Sequence, residues 1–246
     1  MLYSKSTLFV CFLAISAGLA GCSKNDTASS TPANKTPTLA DATSPQAAEQ
    51  AKVKALPQGN AATPAKDYRE LAGDNDVMFT YYALSSLPVD YDKLLTAYSQ
   101  DYRGTSDEFK KQDMQKALKP KIDQEIANAK GTNYIKMKWS QFRLDKYDFQ
   151  AKGFPQQNLT KDVNFGWGWD YRVEYTNGDN FKLFKVEDEA KARQIEEMRS
   201  KGQVLDLMIY AFAQDAELDK HFVKAQILKV VLLDKNGSEL LSLNLN

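Results

Sequence analysis

Histidine occurs once in this chain, at His221, and cysteine twice, at Cys11 and Cys22. A lone histidine excludes a histidine-rich metal centre, and it makes any serine–histidine–acid triad depend on one residue. Neither Gly-x-Ser-x-Gly nor His-Glu-x-x-His is present, so the signatures of a nucleophile elbow and a zinc-protease helix are missing. Glycine-rich phosphate cradles and calcium-binding loops are also missing. No cofactor, no metal and no catalytic set is therefore expected. Charge of one sign is lacking as well: 32 Lys and Arg balance 32 Asp and Glu. That balance argues against a nucleic-acid partner, and no long basic run offers itself to lipid headgroups. Finally, no aromatic residue lies between Phe12 and Tyr68.

The amino terminus carries a pattern of its own. Lys5 supplies positive charge, and Leu8 to Leu19 is an apolar run too short to span a bilayer as a stable helix. It ends in Leu19-Ala20-Gly21-Cys22, which resembles the lipobox of bacterial lipoproteins. The resemblance implies that residues 1–21 are a signal peptide and that Cys22 is acylated and becomes the first residue of the mature chain. In that class an Asp after the lipidated cysteine favours the inner membrane. Ser23 and Lys24 stand here instead, which implies a lipid-anchored, periplasm-facing place at the outer membrane. Acyl carbons each add about 0.8 kcal/mol of anchoring. With Cys11 removed and Cys22 acylated, no thiol is left for a disulfide or a nucleophile.

Residues 22–66 read as the lipidated cysteine followed by a disordered tether. Ser, Thr, Ala, Asn, Gln and Pro dominate, and such a stretch buries too little apolar surface to offset the entropy of ordering it. A flexible coil of this length spans about 35–40 Å. Residues 67–246 then form one domain. Its first half has helical periodicity. Asn75 or Asp76 starts one segment and Asp90 caps the next. Thr105 to Glu108 fits a capping box ahead of a helix with Phe109, Leu118, Ile122 and Ile126 inward, which Pro120 kinks or restarts. After Gly131 the period becomes two. Ile135, Met137 and Trp139 alternate with polar residues, as do Tyr147, Phe149 and Ala151. Asn177 to Asn180 reads as a hairpin turn returning along Phe181 to Val186. A helix from about Asp188 to Ser200, a central strand from Val204 and a final hairpin across Asp234 to Gly237 complete the order. The fold class is α+β, with N-terminal helices packed on a mainly antiparallel sheet and one inserted helix. The element order, the Tyr147-Asp-Phe149 segment followed by Gly153-Phe-Pro155, and the Glu/Ala-rich helix before the apolar strand resemble an uncharacterised bacterial lipoprotein family. That family brings no catalytic residues with it.

The stretch Asn164-Phe-Gly-Trp-Gly-Trp-Asp-Tyr171 holds two of the 3 tryptophans. Strict alternation puts Phe165, Trp167, Trp169, Tyr171, Val173 and Tyr175 on the inward face of one strand, because large rings supply much of a core's burial. Gly166 and Gly168 on the other face point to close approach by another backbone, a bulge or a ligand. These four residues, Trp167, Trp169, Gly166 and Gly168, are the ligand-binding candidates. His221 reads as a strand-end residue. The acid pairs Asp145 with Asp148 and Asp170 with Glu174 are the nominees for a glycosidase-type site, which requires two carboxyls about 5–10 Å apart across a bond. The leading expectation is a non-enzymatic outer-membrane lipoprotein whose domain binds an envelope protein or glycan. A carboxylate-dependent cell-wall glycan hydrolase and an inhibitor or immunity-like lipoprotein are the alternatives.

Overall fold

The computed structural model describes residues 51–160, 163–168 and 170–245. Cys22 and Trp169, both singled out above, lie outside that set, as do the signal segment and residues 23–50. Nine strands occur in chain order among the described residues: β1 (Arg69–Leu71), β2 (Tyr134–Trp139), β3 (Gly153–Pro155), β4 (Asn164–Phe165), β5 (Arg172–Tyr175), β6 (Leu183–Lys185), β7 (Asp206–Glu217), β8 (Phe222–Leu233) and β9 (Glu239–Asn244). Helices from residue 70 onward are α1 (Asp74–Leu84), α2 (Tyr91–Tyr98), α3 (Gln100–Gly104), α4 (Glu108–Lys130) and α5 (Glu189–Ser200). The architecture is α+β. Among the described residues no helix is long and apolar enough to cross a membrane.

One sheet dominates, in the order β1-β2-β7-β8-β5-β4, with β9 also paired to β8. Its long central pair, β7 and β8, is antiparallel. β5 lies parallel to the first part of β8, and β9 runs antiparallel to the last part. β1 is parallel to β2, so the sheet is mixed but mainly antiparallel. The inner face follows the period of two: Ile135 and Met137 on β2, Leu207, Ile209, Ala211 and Ala213 on β7, and Val223, Ala225 and Ile227 on β8 are fully buried. Against this face lies α1, which contacts β5, β7 and β8 on one side and α4 on the other. Val77 to Tyr82 are six consecutive buried residues, as a helix enclosed on all sides requires. The alanines at the sheet centre make room for its bulky side chains, large against small. α4 closes the layer with Ile122, Ile126 and Ala129.

Several local readings are corrected. Asp107, rather than Thr105, caps α4: its carboxylate accepts from the N–H groups of Phe109 and Lys110, at 3.0 and 3.2 Å. The helix runs unbroken through Pro120. Phe109 sits in its first turn and is 82 % exposed rather than inward. The Tyr147–Ala151 alternation is a turn, not a strand, because Asp148 Oδ1 accepts from the N–H groups of Gln150 and Ala151 and folds the chain back; Phe149 is 85 % exposed. The expected hairpin across Asn177 is absent as well. The Asn177 side chain acts as a strand partner for Ile227, donating to its carbonyl at 2.9 Å and accepting from its N–H at 2.8 Å. The chain then leaves the sheet through a 3-10 turn, Gly178–Phe181, and β6 pairs with β3 in a separate two-stranded sheet. The α5 cap at Asp188 and the final hairpin, with Gly237 at φ +82°, form where expected.

The folded unit also reaches further toward the amino terminus than the boundary at Asp67. Residues 51–55 are helical, and Pro57 to Asn60 lie along the outer face of the sheet as a strap. Gln214 donates to the Pro57 carbonyl at 2.8 Å, Gln226 donates to Gln58 Oε1 at 2.6 Å and accepts from Gly59 N–H at 2.9 Å, and Tyr134 Oη accepts from Asn60 N–H at 3.0 Å. Gly59 is required there: a Cβ would stand 2.5 Å from Phe212 Cβ and 2.9 Å from Leu228 Cδ1.

Candidate functional site

The stretch around the tryptophans is not one strand. β4 and β5 form a hairpin in which Phe165 opposes Val173 and Asn164 opposes Glu174. Residues 166–168 and 170–171 belong to the loop between the two strands. The predicted inward face is met by Phe165, Tyr171, Val173 and Tyr175, all buried. Trp167 is not part of it: the residue is 42 % exposed. The physical reason is the glycine pair. Gly166 lies where the two arms of the loop close, and a Cβ there would meet Arg172 Cγ and the Tyr171 carbonyl at 3.1 Å. At Gly168 a Cβ would stand 1.7 Å from Asp74 Oδ2, on the first turn of α1. Close approach, which the glycines forecast, thus occurs inside the loop and against a helix start, and it interrupts the alternation.

Trp167 ends an aromatic chain that runs outward from the core. Its ring meets Phe165 edge-on at 5.0 Å, Phe165 lies 5.1 Å from Trp139, and Trp139 meets Phe142 at 5.7 Å. Edge-to-face contacts of this kind add about 0.5–1.5 kcal/mol each beyond burial. They hold the outermost ring in place at the surface.

The other side of the loop borders a crevice. Asp170 and Tyr171 face Lys93, Thr96 and Ala97 of α2 and Arg103 of α3 across a cavity of about 410 Å³. A second cavity of about 220 Å³ adjoins it. The two share Ala97, Arg103, Asp170 and Tyr171, and the second adds Asp74, Asn75, Met78 and Gly168. Asp90 sets the start of α2, accepting from Lys93 N–H at 3.1 Å, and Ser99 sets α3 by accepting from Tyr102 N–H at 3.2 Å. Arg103 donates to the Thr96 carbonyl at 3.4 Å. Asp92 is held by the Tyr102 hydroxyl at 2.6 Å, a bond that pushes the Tyr102 hydroxyl up to about 12. Asp74 Oδ1 is buried and meets no hydrogen-bond partner among the described residues.

His221 stands behind this crevice. It begins β8 from a left-handed backbone position, φ 57°. Its ring stacks on Tyr171 at 5.4 Å and meets Tyr81 edge-on at 5.7 Å. Nε2 lies 3.1 Å from Lys93 Nζ. Burial first, and then the Lys93 ammonium, lower the imidazole pKa, with Asp170 pulling the other way. The neutral ring therefore accepts from Lys93 through Nε2. Burial raises the Tyr171 hydroxyl well above its ordinary value, and its bond to Tyr82 at 3.4 Å adds to that. His221 thus stands at a strand end, as expected, and is also a half-buried member of a tyrosine cluster.

The nominated acids take separate places. Asp148 makes the turn described above. Asp170 lines the crevice, whereas Glu174 lines a different cavity with Asp215, Glu217 and Lys220. A general acid needs a raised carboxyl. Those with displaced pKa among the described residues are all lowered: Asp123 by Tyr91 and Lys119, Glu187 by Lys185, Glu196 by Arg199 and Glu197 by Lys201. Burial pushes Asp206 and Glu217 up, but the neighbouring lysines outweigh it. No group of three or more His, Cys, Asp or Glu among the described residues is placed to hold a metal ion. No family model, no curated protein and no solved structure matches the chain.

Sequence reasoning pointed to the loop and missed its counterpart. Lys93, Thr96, Arg103 and Asp74 carry no pattern in the sequence that sets them apart from the polar residues of any exposed helix. Only the glycine at position 168, inserted into an aromatic alternation, signalled that something must approach there.

Proposed function

We propose that this chain is a non-enzymatic lipoprotein of the outer membrane, acylated at Cys22, whose folded unit binds an envelope component at the 166–171 loop and the crevice beside it. The observation that carries this reading is Trp167, a large ring held 42 % exposed by an aromatic chain rooted in the core, one residue from the crevice wall at Gly168. A large exposed aromatic set on a rigid scaffold is the usual form of a binding contact. The carboxyl arrangement supports binding over hydrolysis, since Asp170 and Glu174 belong to different cavities. Anchorage follows from Leu19-Ala20-Gly21-Cys22, whose pattern calls for acylation.

Two measurements test it. Replacing Cys22 by Ala abolishes fatty-acid labelling of the chain; a labelled variant removes the anchor. A photo-crosslinking amino acid at position 167 captures an envelope component in intact cells, while the same group at Phe109, which is more exposed, does not. Equal capture at both positions, or none at 167, overturns the binding site.

A further inference from the structure

We infer that the component bound in the crevice is a neutral sugar chain, whose hydroxyl groups bridge the carboxylates of Asp74 and Asp170 and the cations of Arg103 and Lys93. This deepens the binding function proposed above and rests on it.

The chemistry of the lining selects among ligand classes. Three carboxylates, Asp74, Asp92 and Asp170, and two cations, Lys93 and Arg103, line the adjoining cavities. A phosphate or other strong anion meets an acidic surplus there, and a simple ammonium meets Arg103 and Lys93. A hydroxyl group suffers neither repulsion, because it donates to a carboxylate and accepts from a guanidinium through the same oxygen. Neighbouring hydroxyls on one ring therefore use acids and bases side by side, which is the arrangement present.

Two further features point the same way. Asp74 lines the smaller cavity, while its Oδ1 is turned into the protein with no hydrogen-bond partner among the described residues, so the rest of the carboxylate is the part that faces a ligand. Gly168 keeps that wall in place: any side chain there would displace the Asp74 carboxylate, since a Cβ would stand 1.7 Å from Oδ2. The two cavities share four lining residues and so run on from one another, and the larger, about 410 Å³, falls in the ordinary range for ligand sites. Two cavities that run on from one another suit a chain of rings. Trp167 stands on the same loop outside, as an exposed ring beside the crevice.

The test uses the full chain in detergent micelles and the β-1,4-linked tetramer of N-acetylglucosamine as probe, with the dipeptide alanyl-alanine and inorganic phosphate as competitors, read by isothermal titration calorimetry. Saturable binding of the tetramer is expected, with roughly tenfold or greater loss of affinity in Arg103→Ala and in Asp170→Asn, since each removes hydrogen bonds to a charged group. Both changes are at the surface, and an unchanged melting temperature separates loss of binding from loss of fold. Gly168→Ala is expected to weaken binding although it touches no ligand, because it moves Asp74. The sugar assignment is overturned if the tetramer fails to bind, or if it binds equally well in both variants. It is overturned, too, if the dipeptide or phosphate binds in its place with the same sensitivity. In each of those cases envelope capture through position 167 still reports separately on the binding function.

Discussion

The strap from Pro57 to Asn60 permits a quantitative prediction, centred on Gln226. This side chain is buried on the outer face of the sheet and makes two bonds to the strap, to Gln58 and from Gly59 N–H. Each net hydrogen bond contributes about 0.5–1.5 kcal/mol, so Gln226→Ala removes about 1–3 kcal/mol from the full chain. For a folded unit of this size, 1 kcal/mol corresponds to about 2–4 °C of melting temperature. The change thus lowers it by about 2–12 °C. In a chain beginning at Asp67 the same substitution is expected to cost almost nothing, because the strap groups are gone and water reaches position 226. Thermal melts of the four chains, followed by far-ultraviolet circular dichroism, form a double-mutant cycle that isolates the contact. Equal losses in both backgrounds would refute the docking of the strap and place the cost within β8. Gly59→Ala is an independent check in the full chain. Its Cβ falls 2.5 Å from Phe212 Cβ, so it pries the strap off and leaves the chain near the truncated one in stability.

Other consequences are as direct. Gly178→Ala puts a Cβ 1.6 Å from the Leu159 carbonyl at a buried position, and a loss of about 2–3 kcal/mol in urea unfolding is expected; a neutral result would show that this turn can shift. His221, the single histidine, gives one nuclear magnetic resonance titration curve, with its midpoint below the ordinary 6.5. Because the folded state holds it neutral and the unfolded chain protonates it first, stability falls as pH drops through and below 6.5. A midpoint at or above that value refutes the buried, Lys93-facing placement. The Asp206 carboxylate accepts from Gln141 N–H at 3.0 Å and pairs with Lys138 at 2.7 Å. Its lowered pKa contributes stability that is present above 3.8 and lost as pH falls below it. Asp206→Asn should flatten that part of the acid unfolding curve, and an unchanged slope counts against the pairing.

Periodicity served best where one face of an element is buried and the other is not. The inner face of β2 and β7 and the helix from Asp188 obey simple rules of period two and 3.6, and so were legible. Enclosure on all sides erases those rules. α1 buries Val77 to Tyr82 without a break, and its place between the sheet and α4 cannot be read from its own pattern. Turn signals failed where a side chain replaced the backbone. Asn177 and Gly178 look like a hairpin turn, yet the Asn177 amide extends the pairing of β8, and Gly178 serves close packing against Leu159. Low aromatic content marked residues 22–66 as unable to form a core of their own. It could not reveal that Pro57 to Asn60 adhere to a core made by others, through backbone groups that every sequence carries.

The binding loop illustrates a different limit. Alternation from Phe165 to Tyr175 is compatible with one strand, and it is equally compatible with two strand ends joined by a loop, because the buried positions Phe165, Tyr171, Val173 and Tyr175 keep odd numbering in both. What separates the two is the cost of glycine in a strand interior. Two such residues at 166 and 168 weaken a continuous strand, whereas a loop that must close on itself and on Asp74 requires them. The glycines therefore carry more information about position 167 than its own aromatic character does. A bulky residue between two glycines loses the neighbouring side chains that would cover it in a sheet, and its burial then depends on what the loop packs against. Here the loop packs through Gly168 and Tyr171, and the Trp167 ring meets that of Phe165 edge-on. The exposure of that ring is thus a consequence of the loop's own closure, and the crevice beside it is the space left where Asp170 faces α2 and α3.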